Sequence, residues 1–153
     1  MPYEIIRVTA ERPDAMRGVN RLFAGAFHNE EAYESRKPRE SYLRSILGLD
    51  HFICLAAVDG EEIVGGLAAY VLAKFEQERT EVYIYDLAVA EKARRKGVAT
   101  ALILKLKEMA KTFGAYVIFV QADKNEEDRP AIALYSKLGK KEDVWHFDIG
   151  VED

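Results

Sequence analysis

The stretch EVYIYDLAVAEKARRKGVATALILKLKEMAKTFGAYVIFVQA, Glu81 to Ala122, decides how the rest of the chain is read. Its first part, Glu81–Val89, is rich in β-branched and aromatic residues and predicts a strand. Apolar side chains then recur at Ala99, Leu102, Leu106, Met109 and Phe113, steps of three and four that lay one stripe along a helix. Gly114 stands where a helix commonly ends in a left-handed residue, and Tyr116–Ala122 predicts a second strand. Strand, helix and strand of this length form a right-handed crossover between parallel strands.

The chemistry lies in the turn, Arg94-Arg95-Lys96-Gly97-Val98-Ala99-Thr100. A glycine at the start of a helix lets the backbone approach a ligand. The first amides of that helix have no partner within it. Their dipoles, beside Arg94, Arg95 and Lys96, favour an anion such as a pyrophosphate. Taken alone, the basic triplet reads equally well as a solvated helix start. The spacing Arg-x-x-Gly-x-Ala is neither a Walker loop nor the Gly-x-Gly-x-x-Gly dinucleotide loop.

Arg94-x-x-Gly97-x-Ala99 after a strand resembles the acetyl-coenzyme A (acetyl-CoA) motif of the GCN5-related N-acetyltransferase (GNAT) superfamily. The flanks Tyr83–Val89, Gly114–Ile118, Val120–Asp123, Ala133-Leu134-Tyr135 and His146–Ile149 look like the aminoglycoside 3-N-acetyltransferases of the gentamicin-resistance type. So do Leu67–Leu72 and Lys74–Gln77. The resemblance runs from about the first helix to the C-terminus. It implies an α/β GNAT fold, with a mixed, mostly antiparallel sheet and one parallel crossover splayed to hold acetyl-CoA.

The length of 153 residues suits one domain spanning residues 1–153. A composition 49% hydrophobic and 31% charged is that of a folded soluble protein. The net charge of −4 argues against nucleic acid as the main partner and suits a cationic substrate. The one cysteine, Cys54, excludes an internal disulfide framework, fits a reducing compartment and reads as a small buried residue. No apolar run reaches membrane-spanning length and no signal pattern opens the chain, so a cytoplasmic location is expected, with no membrane partner. His28, His51 and His146 lack metal-ligand spacing, so no metal is expected.

Taken in order, Tyr3–Val8 predicts a strand, and Pro13-Asp14 opens a helix striped by Met16, Val19, Phe23 and Phe27. Asn29–Arg36 reads as a polar loop. Pro38 reads as the start of a second helix that packs Tyr42, Leu43, Ile46 and Leu47 inward and stops at Gly48. Phe52–Val58 and Ile63–Leu72 are strands joined through Asp59-Gly60, a hairpin turn signal. Asp123–Asp128 is a polar loop. Asp128 reads as the cap of a helix that carries Pro130 in its first turn and buries Ala131, Leu134, Tyr135 and Leu138. Val144–Ile149 predicts a last strand.

The resemblance assigns roles to these residues. The pantetheine arm of acetyl-CoA would pair with the backbone of Leu87, Ala88 and Val89, and its pyrophosphate would rest on Arg94, Arg95, Lys96, Gly97, Val98, Ala99 and Thr100. A contact from Asp128 would complete the cofactor site. Asp86 would be the base or the anchor for the acceptor ammonium; the competing reading is a strand-end residue bonded to a local amide. Tyr135 would be the acid for the leaving thiol; otherwise it is a core tyrosine. A polycationic acceptor would find carboxylates among Asp86, Asp123, Glu126, Glu127 and Asp148, with His146 beside them. Glu152 and Asp153 are further candidates, or simply a solvated tail. Asn29–Lys37 would help to set specificity. The activity implied is direct transfer of acetyl to the 3-amino group of a gentamicin-like aminoglycoside by a homodimeric resistance enzyme. Acetylation of another small amine, polyamine or peptide, and a non-catalytic acyl-CoA sensor, are the alternatives.

Overall fold

The computed structural model describes residues 3–152. Five strands form one sheet in the order β1-β2-β3-β4-β5. They are β1 (Glu4–Arg7), β2 (Phe52–Asp59), β3 (Glu62–Ala73), β4 (Thr80–Val89) and β5 (Ala115–Val120). Neighbours are antiparallel from β1 to β4, and β4 with β5 is the parallel pair. Helices α1 (Pro13–Ala26), α2 (Glu30–Glu34) and α3 (Glu40–Leu47) lie between β1 and β2, α4 (Val98–Thr112) between β4 and β5, and α5 (Arg129–Leu138) after β5. The chain divides into two compact units, Met1–Gln121 and Ala122–Asp153.

The first unit is built on a pair of glycines. Gly65 and Gly66 are neighbours on β3, so their missing side chains would point to opposite faces. A Cβ at Gly65 would lie 2.7 Å from Val98 and 3.3 Å from Leu102, both on α4. A Cβ at Gly66 would lie 2.8 Å from Val19 and 3.6 Å from Phe23, both on α1. The sheet is therefore gripped at one spot by a helix on each face. With both faces covered, every residue from Phe52 to Ala57 is buried, which explains the unbroken apolar run of β2. On the α1 face the core joins Val19 and Phe23 to Leu43, Phe52, Cys54, Ala68 and Ala88.

The crossover and the hairpin match the sequence reading. Gly60 turns the hairpin at φ +64°, and Gly114 ends α4 at φ +70°. Three expectations are corrected. Residues 30–34 form the short helix α2 rather than a loop; Asn29 supplies the carbonyl that the Tyr33 amide bonds, and Glu30 and Glu31 sit favourably at its positive end. The third helix starts at Glu40 with Arg39 at its N-cap, two residues past Pro38, and it leaves Tyr42 exposed. Residues 144–149 form no strand. Their alternation supplies propensity, but a strand exists through its ladder, and no partner for them is found among the described residues. Trp145 and Phe147 are accordingly exposed rather than core.

Gly65→Ala is expected to lower stability by about 1–3 kcal/mol, the usual penalty for overpacking a closed core. The denaturant midpoint reads it. Gly18→Ala should be nearly neutral, because its Cβ would meet the movable Cδ1 end of Ile63 within a helix that favours alanine.

Candidate active site

Asp86 owes its position to an irregularity. Ala68 of β3 faces Asp86, but the next residue, Ala69, faces Ile84, so Tyr85 is an extra residue in β4. Such a bulge bends its strand and re-aims the side chains beyond it. Its first effect is to put Tyr83 and Asp86 on one face, three residues apart, where strict alternation would separate them. Its second effect is on the neighbouring strand. The β4–β5 ladder ends at Ile84–Val120, while β4 runs on to Val89. Among the described residues, 86–89 thus pair with β3 alone and present a free edge, the opening the splayed crossover predicts.

Asp86 lines a cleft of about 300 Å³ on the α1 face. Aromatic rings form much of its wall: Tyr33 from α2, Tyr42 from α3, Phe52 from β2, Tyr70 from β3 and Tyr85 beside Asp86. Tyr85 meets Tyr70 edge-on at 6.0 Å and Tyr83 at 5.7 Å between centroids. Tyr83 stacks on Phe119 at 4.6 Å and donates to Gln121 Oε1 at 2.8 Å. Loss of water around Asp86 pushes its pKa up to about 6, partly offset by the Tyr33 hydroxyl. No ion pair to Asp86 is found among the described residues. A carboxylate held this way can accept a proton near neutral pH and attract a cation.

The basic turn meets the free edge of β4. A 3-10 turn, Glu91–Ala93, leads from β4, and Arg94 Nε lies 3.4 Å from the Val89 carbonyl that it bonds. Arg95 and Gly97 both take positive φ, +64° and +77°. Gly97 is the N-cap of α4, with no atom within 4 Å of where a Cβ would stand. Among the described residues, the amides of residues 95–100 donate no backbone hydrogen bond, whereas that of Ala101 is bonded to the Gly97 carbonyl. Exposed guanidinium and ammonium groups on Arg94, Arg95 and Lys96 flank these amides. Free strand edge, open glycine and unpaired amides fit the amides and pyrophosphate of a CoA thioester.

The remaining candidates belong to the second unit. Asp128 precedes α5 but makes no side-chain cap; its carboxylate instead accepts the Asp123 amide at 2.9 Å, and its own amide is bound by Asn125 Oδ1 at 2.9 Å. Glu126 pairs with Arg129 at 3.0 Å and His146 with Asp148 at 2.8 Å. Glu127 is exposed. Tyr135 is half-buried on α5, and burial, then the Asp128 charge, pushes its pKa up to about 12. Leu138, expected inside, is exposed. Glu152 is exposed, and Asp153 lies outside the described residues. Sequence reasoning missed Tyr33, Tyr42, Tyr70 and Tyr85 as cleft residues. The signal for Tyr33 was its place inside the Asn29–Lys37 segment.

A parallel strand pair opened at its end, with unpaired helix-start amides beside it, suits the pantetheine and pyrophosphate of an acyl-CoA. The chain belongs to the acetyltransferase (GNAT) family, whose model matches residues 16–140. Acetyl-CoA is its acyl donor. The structure is similar to that of an aminoglycoside acetyltransferase from an uncultured soil metagenomic sample, with 55% identity over 99% of this chain and 100% of that one and a TM-score of 0.97. A second soil metagenomic aminoglycoside acetyltransferase, solved with sisomicin, is 29% identical over 99% and 97% of the chains, with a TM-score of 0.88. L-2,4-diaminobutyric acid acetyltransferase of Shouchella clausii is 28% identical over 120 residues, 76% of this chain; the match spans 64% of that protein's length.

Two outcomes are expected. Gly97→Val forces a β-branched residue to φ +77°, at a cost of about 1–2 kcal/mol, and should weaken acetyl-CoA binding roughly tenfold by calorimetry. Asp86→Asn should raise the melting temperature near neutral pH but not near pH 4. Asp86 ionises near 6 in the fold and near 4 when unfolded, so stability held at low pH is lost as pH rises through that window.

Proposed function

We propose that this protein acetylates the 3-amino group of an aminoglycoside, and so removes a positive charge and a hydrogen-bond donor from the drug. The observation that carries this reading is the desolvated Asp86, set in an aromatic cleft next to the free edge of β4. The 55% identical relative, itself an aminoglycoside acetyltransferase, supports the choice of acceptor. Aromatic walls suit both the faces of sugar rings and an ammonium, which is attracted to them.

Acetyl-CoA supplies an acetyl thioester, which the acceptor nitrogen attacks directly. Asp86 binds the acceptor ammonium and takes its proton, directly or through water, so that the nitrogen has a free lone pair. The pKa of about 6 makes it a better base than an ordinary aspartate. Tyr135 gives a proton to the departing thiolate and regains one from the acylated nitrogen; its high pKa keeps the hydroxyl protonated at neutral pH. No covalent enzyme intermediate is needed, and Cys54 is unsuited to form one, since it is buried and its thiol pKa is pushed up to about 12. Leu87, Ala88 and Val89 bind the pantetheine amides, and the turn from Arg94 to Thr100 the pyrophosphate. For the drug's further ammonium groups the family resemblance offers Asp123, Glu126, Glu127 and Asp148 as candidates. A cytoplasmic homodimer that confers resistance completes this reading.

A second reading has an independent support. One carboxylate in an aromatic cleft suits a single ammonium, and the S. clausii relative acts, by its name, on a small diamino acid. Thiol release from acetyl-CoA with gentamicin, against spermidine, a lysine peptide and 2,4-diaminobutyrate, separates the two. Release with gentamicin alone, and one acetyl on the 3-amino nitrogen by NMR, is the expected result. Release only with another amine overturns the aminoglycoside assignment. Asp86→Ala should cut turnover by about two to four orders of magnitude while acetyl-CoA still binds.

A further inference from the structure

The Asp86 carboxylate makes one side-chain hydrogen bond among the described residues. Its donor is the Tyr33 hydroxyl, 3.4 Å from Asp86 Oδ2 and 53 residues away in sequence. Tyr33 stands on α2, and its amide is tied to the Asn29 carbonyl at 3.2 Å. The hydroxyl contact is longer than an ordinary hydroxyl–carboxylate bond, a length common at catalytic groups before a substrate closes the site. The other groups facing Asp86 are Tyr70 from β3, Tyr83 and Tyr85 from β4, Tyr42 from α3 and Asn20 from α1. None of these brings a positive charge. Burial and the Asp86 charge push the Tyr33 pKa up to about 12, so its hydroxyl keeps its proton.

We propose that Tyr33 is a positioning residue for acetyl transfer: its hydroxyl fixes the Asp86 carboxylate in one orientation and keeps it in the proton-accepting form. This inference rests on the reading of Asp86 as the acceptor's base. A neutral donor suits that role better than a cation. An arginine or lysine in the same place would hold the carboxylate ionised far into the acid range and leave a poor base. It would also repel the acceptor ammonium. A phenol offsets only part of the desolvation and adds no charge, so Asp86 stays matched to neutral pH. It also makes the base depend on how the Asn29–Lys37 segment is folded.

The test is Tyr33→Phe, which keeps the ring in the cleft and removes only the hydroxyl. The Asp86 side-chain carboxyl is titrated by carbon-13 NMR in the free protein, with its signal assigned by loss in Asp86→Asn. The wild-type midpoint is expected near pH 6 and the variant's higher by roughly half a unit to one unit, the worth of one neutral hydrogen bond. The acid limb of kcat/KM for acetyl transfer should move by the same amount, with the rate approaching wild type well above both midpoints. Tyr33→Leu should shift the carboxyl midpoint likewise, which guards against an unstable first variant. Unchanged midpoints in both variants overturn the proposal, as does a rate loss that stays constant at every pH. The carboxyl titration needs no acceptor. It therefore judges Tyr33 even if the acceptor is not an aminoglycoside, and failure of all acceptors alongside a shifted midpoint counts against the proposed function alone.

Discussion

The extra residue at Tyr85 is the constraint on which the site depends. One bulge in β4 turns Asp86 toward the α1 face and ends the parallel ladder to β5 at Ile84. The carboxylate and the open strand edge are thus two results of one backbone event. A regular strand with the same side chains would give neither. It would carry Asp86 to the opposite face from Tyr83 and would leave β4 no free edge there.

Close packing makes that arrangement durable. Gly65 and Gly66 let α4 and α1 approach the sheet from opposite sides, and both residues lie on β3, the strand that pairs with the bulged segment. Gly65 faces Val89 across the ladder and Gly66 faces Ala88, so the grip falls on the stretch that has lost its other neighbour. The side chain that fits against Gly65 is Val98, the first residue of α4, directly after the N-cap Gly97. Packing against β3 therefore also fixes where α4 begins.

The sequence announced whatever rests on local periodicity or on a glycine with a single geometric use. The helix α4 with Leu102 and Leu106 inside, its left-handed glycines at Gly97 and Gly114, and the turn at Gly60 are of this kind, although Val98, Ile103 and Ala110 are buried where Ala99, Met109 and Phe113 were expected and are only half-buried. The family motif pointed to acetyl-CoA as the cofactor through six residues, Arg94 to Ala99. Other features depend on partners distant in the chain. Nothing in Tyr-Ile-Tyr-Asp announces that Tyr85 is supernumerary, because that is fixed by which residue of β3 stands opposite. The Tyr33 hydroxyl finds Asp86 only through the packing of α1 and α2 over the sheet. Residues 144–149 show the converse, for they carry a strand's alternation without a ladder. Of the acceptor carboxylates that the resemblance suggested, Glu126 is paired with Arg129 and Asp148 with His146.

The concealment of Cys54 has a practical consequence. It is 1% exposed at the centre of β2, and it is the only sulfhydryl in the chain. Acetyl transfer from CoA liberates a thiol, and disulfide reagents that colour on meeting thiols are a simple way to follow it. In the native protein those reagents find only the product. A colour that persists without an acceptor would instead report unfolding, so one tube can follow both turnover and loss of the fold. Mixed disulfides with coenzyme A, a hazard for enzymes with a thiol near this cofactor, have no foothold here.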